Sequence, residues 1–510
     1  MRASAGAAGP WLLLLLLGCA APAAAPARNA PPNVVLLYAD DLGYGDVSCY
    51  NPERGKIRTP HIDRLAAGGM RFTDAHSSSG VCSPSRYALL TGRYHWRTRL
   101  QKGIVNLWGA PLIPPGRLTL ASLARSAGYR TACVGKWHLG WDWPIEPGKQ
   151  ALFRLDPKAP AVTDAHRAAW RETFSKPIPG GPLDRGFDEY FGTDVPNWPP
   201  YCWIENDRTV GIPTEALPAR LFQNHLASLN GPALPGWAFE PILSTLGDRA
   251  CEFIARQGKS GRPFLLYLPF TSPHTPISPG PAWRGKSGLS PYADLVLETD
   301  HVVGRVLDAL RGAGVEDRTL VILTSDNGCA PYIGVPEMEK AGHFPSGPLR
   351  GYKASAWEGG HRVPFVVRWP GVVPAGRVSD ALVHQADVLA TVAEILGATL
   401  PPDAGEDSFS LLPLLRGASA PVRSTAVSCS SAGVPAFRRG PWKLVLEADG
   451  AAPCRLFDLA SDLGETRNLA SERPDLVAEL SALFRKTIEN GRSTAGPPAP
   501  NDVRPAWRLP

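Results

Sequence analysis

Asn33-Val34-Val35-Leu36-Leu37-Tyr38 is an unbroken run of strand-forming residues that stops abruptly on Ala39-Asp40-Asp41 and then Gly43. A run that is apolar at every position has no face for solvent. It suits a strand covered on both sides, as in parallel sheets. Thr319-Leu320-Val321-Ile322-Leu323 repeats the pattern and ends in Ser325-Asp326-Asn327-Gly328. Pro263 to Leu268 reads as another buried strand, as does Arg130 to Val134 after a helical stretch from Leu118 to Ala127 and the stop at Gly128. Val363 to Arg368 is a further strand, and Val296 to Leu310 has helical periodicity ending at Gly312. Strands alternating with helices predict an α/β fold with a large, mostly parallel or mixed sheet flanked by helices. In open sheets of this kind ligands bind beyond the carboxyl ends of the strands. Acidic residues at two such ends mark the place to look for chemistry.

A chain of 510 residues holds one large α/β domain and a smaller one. With 44% apolar and 20% charged residues the bulk is ordinary globular protein, and 51 glycines with 53 prolines imply many turns and irregular connections. The pattern changes near residue 400. Short strand-like pieces run from Ala426 to Leu446 and from Arg455 to Leu459, then a helix from Pro474 to Lys486. The expected organisation is a signal segment over 1–25, a catalytic domain over 31–400, a small antiparallel sheet with a helix over 401–489, and a Pro-rich tail over 490–510. The formal charge of +6 is dispersed with no polybasic run, which argues against nucleic acid and is compatible with an anionic substrate.

Leu12 to Leu17, preceded by Arg2, form an apolar core too short to span a bilayer, the pattern of an export signal. Leu16-Leu17-Gly18-Cys19 also resembles a bacterial lipobox, with ordinary cleavage between Cys19 and Ala25 as the alternative. No later segment is apolar enough for a transmembrane helix. The chain is expected to be exported, to a periplasm, an outer membrane or the extracellular space, or to a lysosome in a eukaryote. Apart from Cys19 and Cys82, seven cysteines at irregular spacing describe no disulfide framework, with one or two bridges the most an oxidising compartment would add.

Asp40, Asp41, Asp326 and Asn327 offer four oxygen side chains at strand ends, the donor type of a hard cation such as Ca²⁺ or Mg²⁺. Cys82 opens Cys82-Ser83-Pro84-Ser85-Arg86-Tyr87-Ala88-Leu89-Leu90-Thr91-Gly92-Arg93, with no second cysteine at a zinc or disulfide interval. Ser83-Pro84 reads as a helix N-cap followed by proline at the first helical position, which would aim a helix N-terminus at an anion. Gly135-Lys136-Trp137-His138-Leu139-Gly140 follows a strand and brings two basic groups to the same sheet edge. Ser272-Pro273-His274-Thr275-Pro276 and Gly351-Tyr352-Lys353 add a histidine and a lysine.

The stretch at Cys82 resembles the signature of the formylglycine-dependent type I sulfatases, Cys-x-Pro-Ser-Arg-x-x-x-Leu-Thr-Gly-Arg, within the alkaline phosphatase superfamily. The stretch from Gly128 to Gly140 resembles the second signature, and the remaining sites follow in the family's order from Asn33 to about Leu469. The resemblance implies a sulfuric ester hydrolase of arylsulfatase type in which a maturation enzyme oxidises Cys82 to formylglycine. It implies a divalent cation, Ca²⁺ ahead of Mg²⁺, on Asp40, Asp41, Cys82, Asp326 and Asn327. It implies a hydrated aldehyde that attacks sulfur with one hydroxyl and releases sulfate through the other, a covalent route that divides one hard step into two. Arg86 would hold the hydrate and the metal ligands, and Lys136 and Lys353 would neutralise the transferring sulfuryl group. His274 would protonate the leaving alkoxide and His138 would serve as base. One departure stands out, since no serine follows Gly186-Phe187-Asp188-Glu189-Tyr190-Phe191-Gly192, where many members carry a polar residue of that kind.

Two other readings compete: a phosphonate or phosphodiester hydrolase of the same superfamily, and a binding protein on an inactive sulfatase scaffold. The intact set of ten core positions argues against the second. Tryptophans crowd the expected rims, Trp137, Trp141 and Trp143 on one side and Trp198 and Trp203 on the other. At least one is expected to line the cleft and stack on a sugar ring, with Glu205, Asn206, Asp207 and Arg208 near enough for hydroxyls. The favoured substrate is a sulfated saccharide, ahead of a lipid or steroid sulfate.

Overall fold

Strands with no solvent face end up in the middle of a sheet. In the computed structural model, which describes residues 31–156, 158, 161–222, 227–446 and 454–510 with Met1, Ala3, Ser4 and Gly6, the sheet has ten strands. Its parallel centre runs in the order Thr319–Ser325, Asn33–Asp40, Phe264–Pro273, Arg130–Lys136 and Glu189–Thr193. One margin adds Phe365–Arg368, Met70–Phe72 and Arg377–Ser379; the other adds the short hairpin Ile204–Glu205 and Arg208–Thr209. Every residue of Asn33–Asp40, Phe264–Pro273 and Thr319–Ser325 is buried. The sheet is therefore mixed at its edges and parallel where the acidic strand ends lie.

The two faces alternate along Asn33–Asp40. Val35 and Leu37 pack with the helices Ile242–Ser260 and Pro291–Gly312. Val34 and Leu36 pack with the helices Cys82–Thr91, Leu120–Ser126 and Asp387–Ile395. Glycine is required where strands approach closely. A Cβ on Gly135, at φ 138°, would stand 1.8 Å from the Pro269 carbonyl oxygen.

A second sheet runs Thr425–Cys429, Pro435–Arg439, Trp442–Val445 and Arg455–Asp458, antiparallel throughout. The helix Pro474–Glu489 closes it through Leu480, Phe484 and Ile488. The segment after residue 490 is anchored at several points. Asp502 pairs with Arg93 at 3.0 Å, and Trp507 lies 5.1 Å from the buried ring of Trp96. The first strand of this sheet also grips the loop that leads to Cys82. Cys429 N donates to Ser78 O at 3.0 Å, Gly80 N to Cys429 O at 2.8 Å, and the Ser428 hydroxyl to Ser77 O at 2.7 Å.

Two expectations change. All eight cysteines among the described residues are free thiols, so no bridge forms from the seven or from Cys82. The helix at Cys82 starts two residues early: Cys82 is its first residue and Val81 stands at the cap with no side-chain bond. Ser83 is committed elsewhere, accepting from Val105 N at 3.1 Å. The leucine run and Cys19 lie outside the described residues. Among the described residues no helix is long and apolar enough to cross a membrane.

A buried ionic network ties the small sheet to the large one. Lys443 Nζ lies 2.9 Å from Glu358 and 2.7 Å from Glu465, with all three side chains at zero exposure. Arg438 reaches Glu358 at 3.3 Å and Asp74 at 3.0 Å. Burial alone would raise the Glu358 carboxyl, but Lys443, His76 and Arg438 outweigh it and hold it well below the usual range. Removing one member of such a network strands the others in low dielectric. Lys443→Met is expected to cost about 3–5 kcal/mol, read as a lower urea midpoint; an unchanged midpoint would show that the network does not hold the sheets together.

Candidate active site

The carboxyl ends of the parallel strands deliver the site. Asp40 is the last residue of Asn33–Asp40, Lys136 the last of Arg130–Lys136, and Asp326 and His274 each follow directly on their strands. Asp41 turns the chain sharply, at φ 65°, an uncommon conformation for a residue with a side chain. Its amide is fixed by Asp326 Oδ1 at 3.0 Å and its carboxylate by Asn327 Nδ2 at 2.7 Å. His138 makes a similar turn at φ 52°.

Across this edge lies the start of Cys82–Thr91. Cys82 Sγ is 3.5 Å from Asp40 Oδ1, and Lys136 Nζ holds Asp40 Oδ2 at 2.7 Å. Arg86, one turn on, donates to Asp326 Oδ2 at 2.8 Å and to the Lys136 carbonyl at 3.1 Å, and passes 3.5 Å from Asp40. Lys353 Nζ sits 2.7 Å from Asp41, and His274 Nε2 is 3.7 Å from the same carboxylate. The donor atoms of Asp40, Asp41, Cys82 and His274 all lie within 4.8 Å of one another. Asp326 and Asn327 border that group through their bonds to Asp41. All ten candidate residues from the sequence meet at this edge.

The electrostatics are those of charges out of water. Burial would raise the Asp40 carboxyl, yet Lys136, His274 and Arg86 keep it well below the usual range. Asp326 goes the other way, to about 7, because burial and the neighbouring Asp40 charge both oppose ionisation. Burial pushes the Cys82 thiol up to about 12, despite Lys136 and Lys353. A thiolate enzyme needs the opposite shift, so this setting works against Cys82 as a thiolate nucleophile.

The two histidines hold different tautomers. A carbonyl oxygen only accepts, so the bond from His138 Nε2 to Val105 O at 3.1 Å puts the proton on Nε2 and leaves Nδ1 as a buried lone pair with no partner. His274 Nδ1 faces Thr275 O at 2.6 Å, which puts its proton on Nδ1 and turns the Nε2 lone pair to Asp41. Burial lowers both: His274 to about 4, and His138 well below its usual value with Lys136 and Arg86 adding to the effect.

A sulfatase family model matches residues 32–398. The chain belongs to the sulfatase family. It is 33% identical to an N-acetylgalactosamine-6-O-sulfatase of Bacteroides thetaiotaomicron, over 90% of this chain and 93% of that protein. It is 32% identical to human arylsulfatase A, over 93% of this chain and 90% of that one. A solved structure described with the metabolism of multiple glycosaminoglycans by Bacteroides thetaiotaomicron superposes with a TM-score of 0.76 at 30% identity, covering 90% of this chain and 99% of that chain. The sulfatase is thus an enzyme that hydrolyses sulfate esters, and the reading as an inactive binding scaffold falls away.

Of the five rim tryptophans in the sulfatase, Trp137 and Trp141 are fully buried core. Trp143 packs with Trp108, Trp141 and Phe174, and Trp203 stacks on Phe191 at 4.9 Å. Only Trp198 approaches the site, edge-on to the His138 ring at 5.7 Å, with Nε1 bonded to Ala227 O. Glu205 to Arg208 form the hairpin turn at the sheet margin, where Asn206 accepts from Tyr190 N at 3.1 Å. Two participants had no role in the sequence reading. Asp194 accepts from His138 N and Trp141 Nε1, both at 3.2 Å, and Tyr332 stands within reach of the charges of Lys353 and Asp41. Neither belongs to a motif, and nothing in local sequence marks them.

Lys136→Met keeps the length of the side chain and removes the charge. Leaving Asp40 beside Asp326 with Arg86 alone is expected to lower kcat at least a hundredfold on an aryl sulfate, and to lower the urea midpoint. Retained kcat would exclude Lys136 from the site's chemistry.

Proposed function

We propose that this sulfatase cleaves carbohydrate sulfate monoesters with a formylglycine derived from Cys82 and one divalent cation, Ca²⁺ ahead of Mg²⁺. The observation that carries the reading is the position of Cys82, at a helix N-terminus 3.5 Å from Asp40 and inside a ring of buried cations, with its thiol pushed up. The residues fit a hard cation. Asp40, Asp41 and Asp326 present carboxylates, and Asn327 Oδ1 is buried with no donor facing it. Three carboxylates against Arg86, Lys136 and Lys353 balance formally, so the charge of an added cation is left to face an anionic substrate. When bound, the cation on Asp40, Asp41, Asp326 and Asn327 supplies Lewis-acid charge beside the sulfate oxygens, and the hydrated aldehyde, standing where Cys82 Sγ now is, supplies the nucleophile.

The chain's own side chains do the rest. Lys136 and Lys353 face the sulfuryl group as it transfers and offset the charge it gathers. Arg86 holds Asp40 and Asp326 apart at fixed distances. His138 offers the Nδ1 lone pair as the base that takes a proton in the release step. His274 presents Nε2 toward Asp41, a place where an arriving anion and the carboxylate both favour protonation, and this makes it the acid for the leaving oxygen. Maturation would require a formylglycine-generating enzyme, and the N-terminal leucine run supports an exported protein. Sulfated N-acetylgalactosamine is a reasonable first substrate, since a relative named for that activity is 33% identical over 90% of the chain.

Active protein should carry an aldehyde in the tryptic peptide from Phe72 to Arg86, seen by mass spectrometry, and Cys82→Ala should lose aryl sulfate turnover with its melting temperature kept. Fully active enzyme with only a free thiol would overturn the mechanism. Asp326→Ala should lose bound metal and activity together, because it removes a ligand and leaves Arg86 without its closest partner. Exhaustive chelation should abolish turnover, and Ca²⁺ should restore it better than Mg²⁺. Full activity with no detectable metal would contradict the cation site. Aryl phosphonate turned over faster than aryl sulfate would favour the phosphonate hydrolase instead.

A further inference from the structure

The site is closed on one side and open on the other. Lys136 and Asp40 are at zero side-chain exposure, and His138 is sealed by Val105 and the ring of Trp198. His274 reaches 8% and Lys353 12%. An ester bound with its sulfur beside Cys82 must therefore send its alcohol out past His274 and Lys353. That is the direction of the leaving oxygen as well.

A groove of about 740 Å³ lies on this side, within the roughly 300–1,000 Å³ usual for ligand pockets. Tyr332 forms its near wall and is 37% exposed. Ile277, three residues after His274, and Leu289 continue the apolar floor. Tyr292 backs the groove and joins it to the site, its hydroxyl 3.2 Å from the Asp41 carbonyl. The far rim is polar and held in place. Asp294 accepts from Gly285 N at 2.7 Å and Ser287 N at 2.8 Å, and Arg284 pairs with Glu240 at 3.1 Å. Neither this groove nor a larger cavity of about 1080 Å³ has any of the ten site residues on its wall; what ties the groove to the site is Tyr292, bonded to Asp41, and Tyr332.

We infer that this groove, rather than the tryptophan loop, is the subsite for the sugar beyond the sulfated one, with Tyr332 as its stacking platform. This rests on the reading of the enzyme as a carbohydrate sulfatase. One exposed aromatic face with a charged and hydroxylated rim matches a pyranose, which has an apolar face and a polar edge. A steroid would need apolar walls to the end.

The test compares a 6-O-sulfated N-acetylgalactosamine disaccharide with 4-nitrophenyl sulfate, using wild type, Tyr332→Ala, Tyr332→Phe, Leu289→Trp and Trp198→Ala. The readout is the ratio of kcat/KM for the two substrates, with melting temperatures as folding controls. Tyr332→Ala and Leu289→Trp, the second narrowing the groove without touching Tyr332, should each lower that ratio at least tenfold, mainly through KM. Tyr332→Phe should stay within threefold of wild type. A ratio that falls with Trp198→Ala and holds with the groove variants would overturn the assignment. So would a groove variant that slows both substrates equally. Wild type that cleaves 4-nitrophenyl sulfate or steryl sulfate but no saccharide would sink the carbohydrate reading itself.

Discussion

Asp40 and Asp41 are two adjacent carboxylates buried at the end of the central strand, and the rest of the molecule is arranged around making that tolerable. Taking charges out of water costs several kcal/mol each, and attraction repays it only with close, hydrogen-bonded partners. Lys136 provides one for Asp40 and Lys353 one for Asp41, from opposite sides of the sheet edge. Each must arrive at about 2.7 Å, so the register of three parallel strands and one distant loop is under constraint at once. Gly135 shows how tight that packing is, since any side chain there would collide with Pro269. The left-handed turn at Asp41 is strain of the kind that persists where surroundings over-determine it.

The same logic recurs beneath the second sheet, with structural consequences. Glu358, Lys443, Arg438 and Asp74 bury charge between the sheets, and Asp74 begins the loop that runs through His76 and Ser79 to Cys82. His76 contributes from within, 2.8 Å from Asp74 and 3.1 Å from His361. Cys429 then pairs with the same loop through its backbone. The small sheet thus acts as a brace that sets where the helix at Cys82 begins. A helix N-terminus that must stand 3.5 Å from a buried carboxylate needs such a brace, because thermal drift of an ångström would separate Sγ from Asp40.

Much of this was legible in residues. Strands apolar at every position could lie only inside a covered sheet, and acidic ends on two of them marked the edge that holds the site. Motif spacing around Cys82 and Lys136 supplied Cys82, Arg86, Lys136 and His138, and the resemblance supplied His274 and Lys353. What stayed hidden depended on pairings across distance. Ser83 resembled a helix cap because serine usually is one there, but the Val105 amide competes for its hydroxyl and the helix starts at Cys82. The tryptophans resembled a sugar platform because their positions flank the motifs. Burial decides otherwise for Trp137 and Trp141, whose rings fill space behind the sheet edge, and half-buried Trp203 is taken up by stacking on Phe191. Tyr332 carried no signal, since its importance comes from standing beside Lys353, a neighbour only in the folded chain.

The asymmetry of the site bears on how the proposed mechanism would separate its two proton transfers. His138 lies on the sealed side, with its free lone pair out of reach of bulk water, and its environment resists positive charge. That suits a base that must stay neutral until a proton is delivered to it from within. His274 lies at the mouth, where in the proposed mechanism the substrate's oxygen would depart, beside Asp41 and partly open to solvent. A group there can be reprotonated between turnovers without water entering the sealed half. Burial lowers both histidines, so their difference in role comes from position and tautomer rather than from intrinsic basicity. In that mechanism the side from which the proton would return is also the side from which the alcohol would leave. The groove past Tyr332 would then share its entrance with the proposed acid, and a further sugar of a saccharide substrate would itself help to shield His274 while the ester bond breaks.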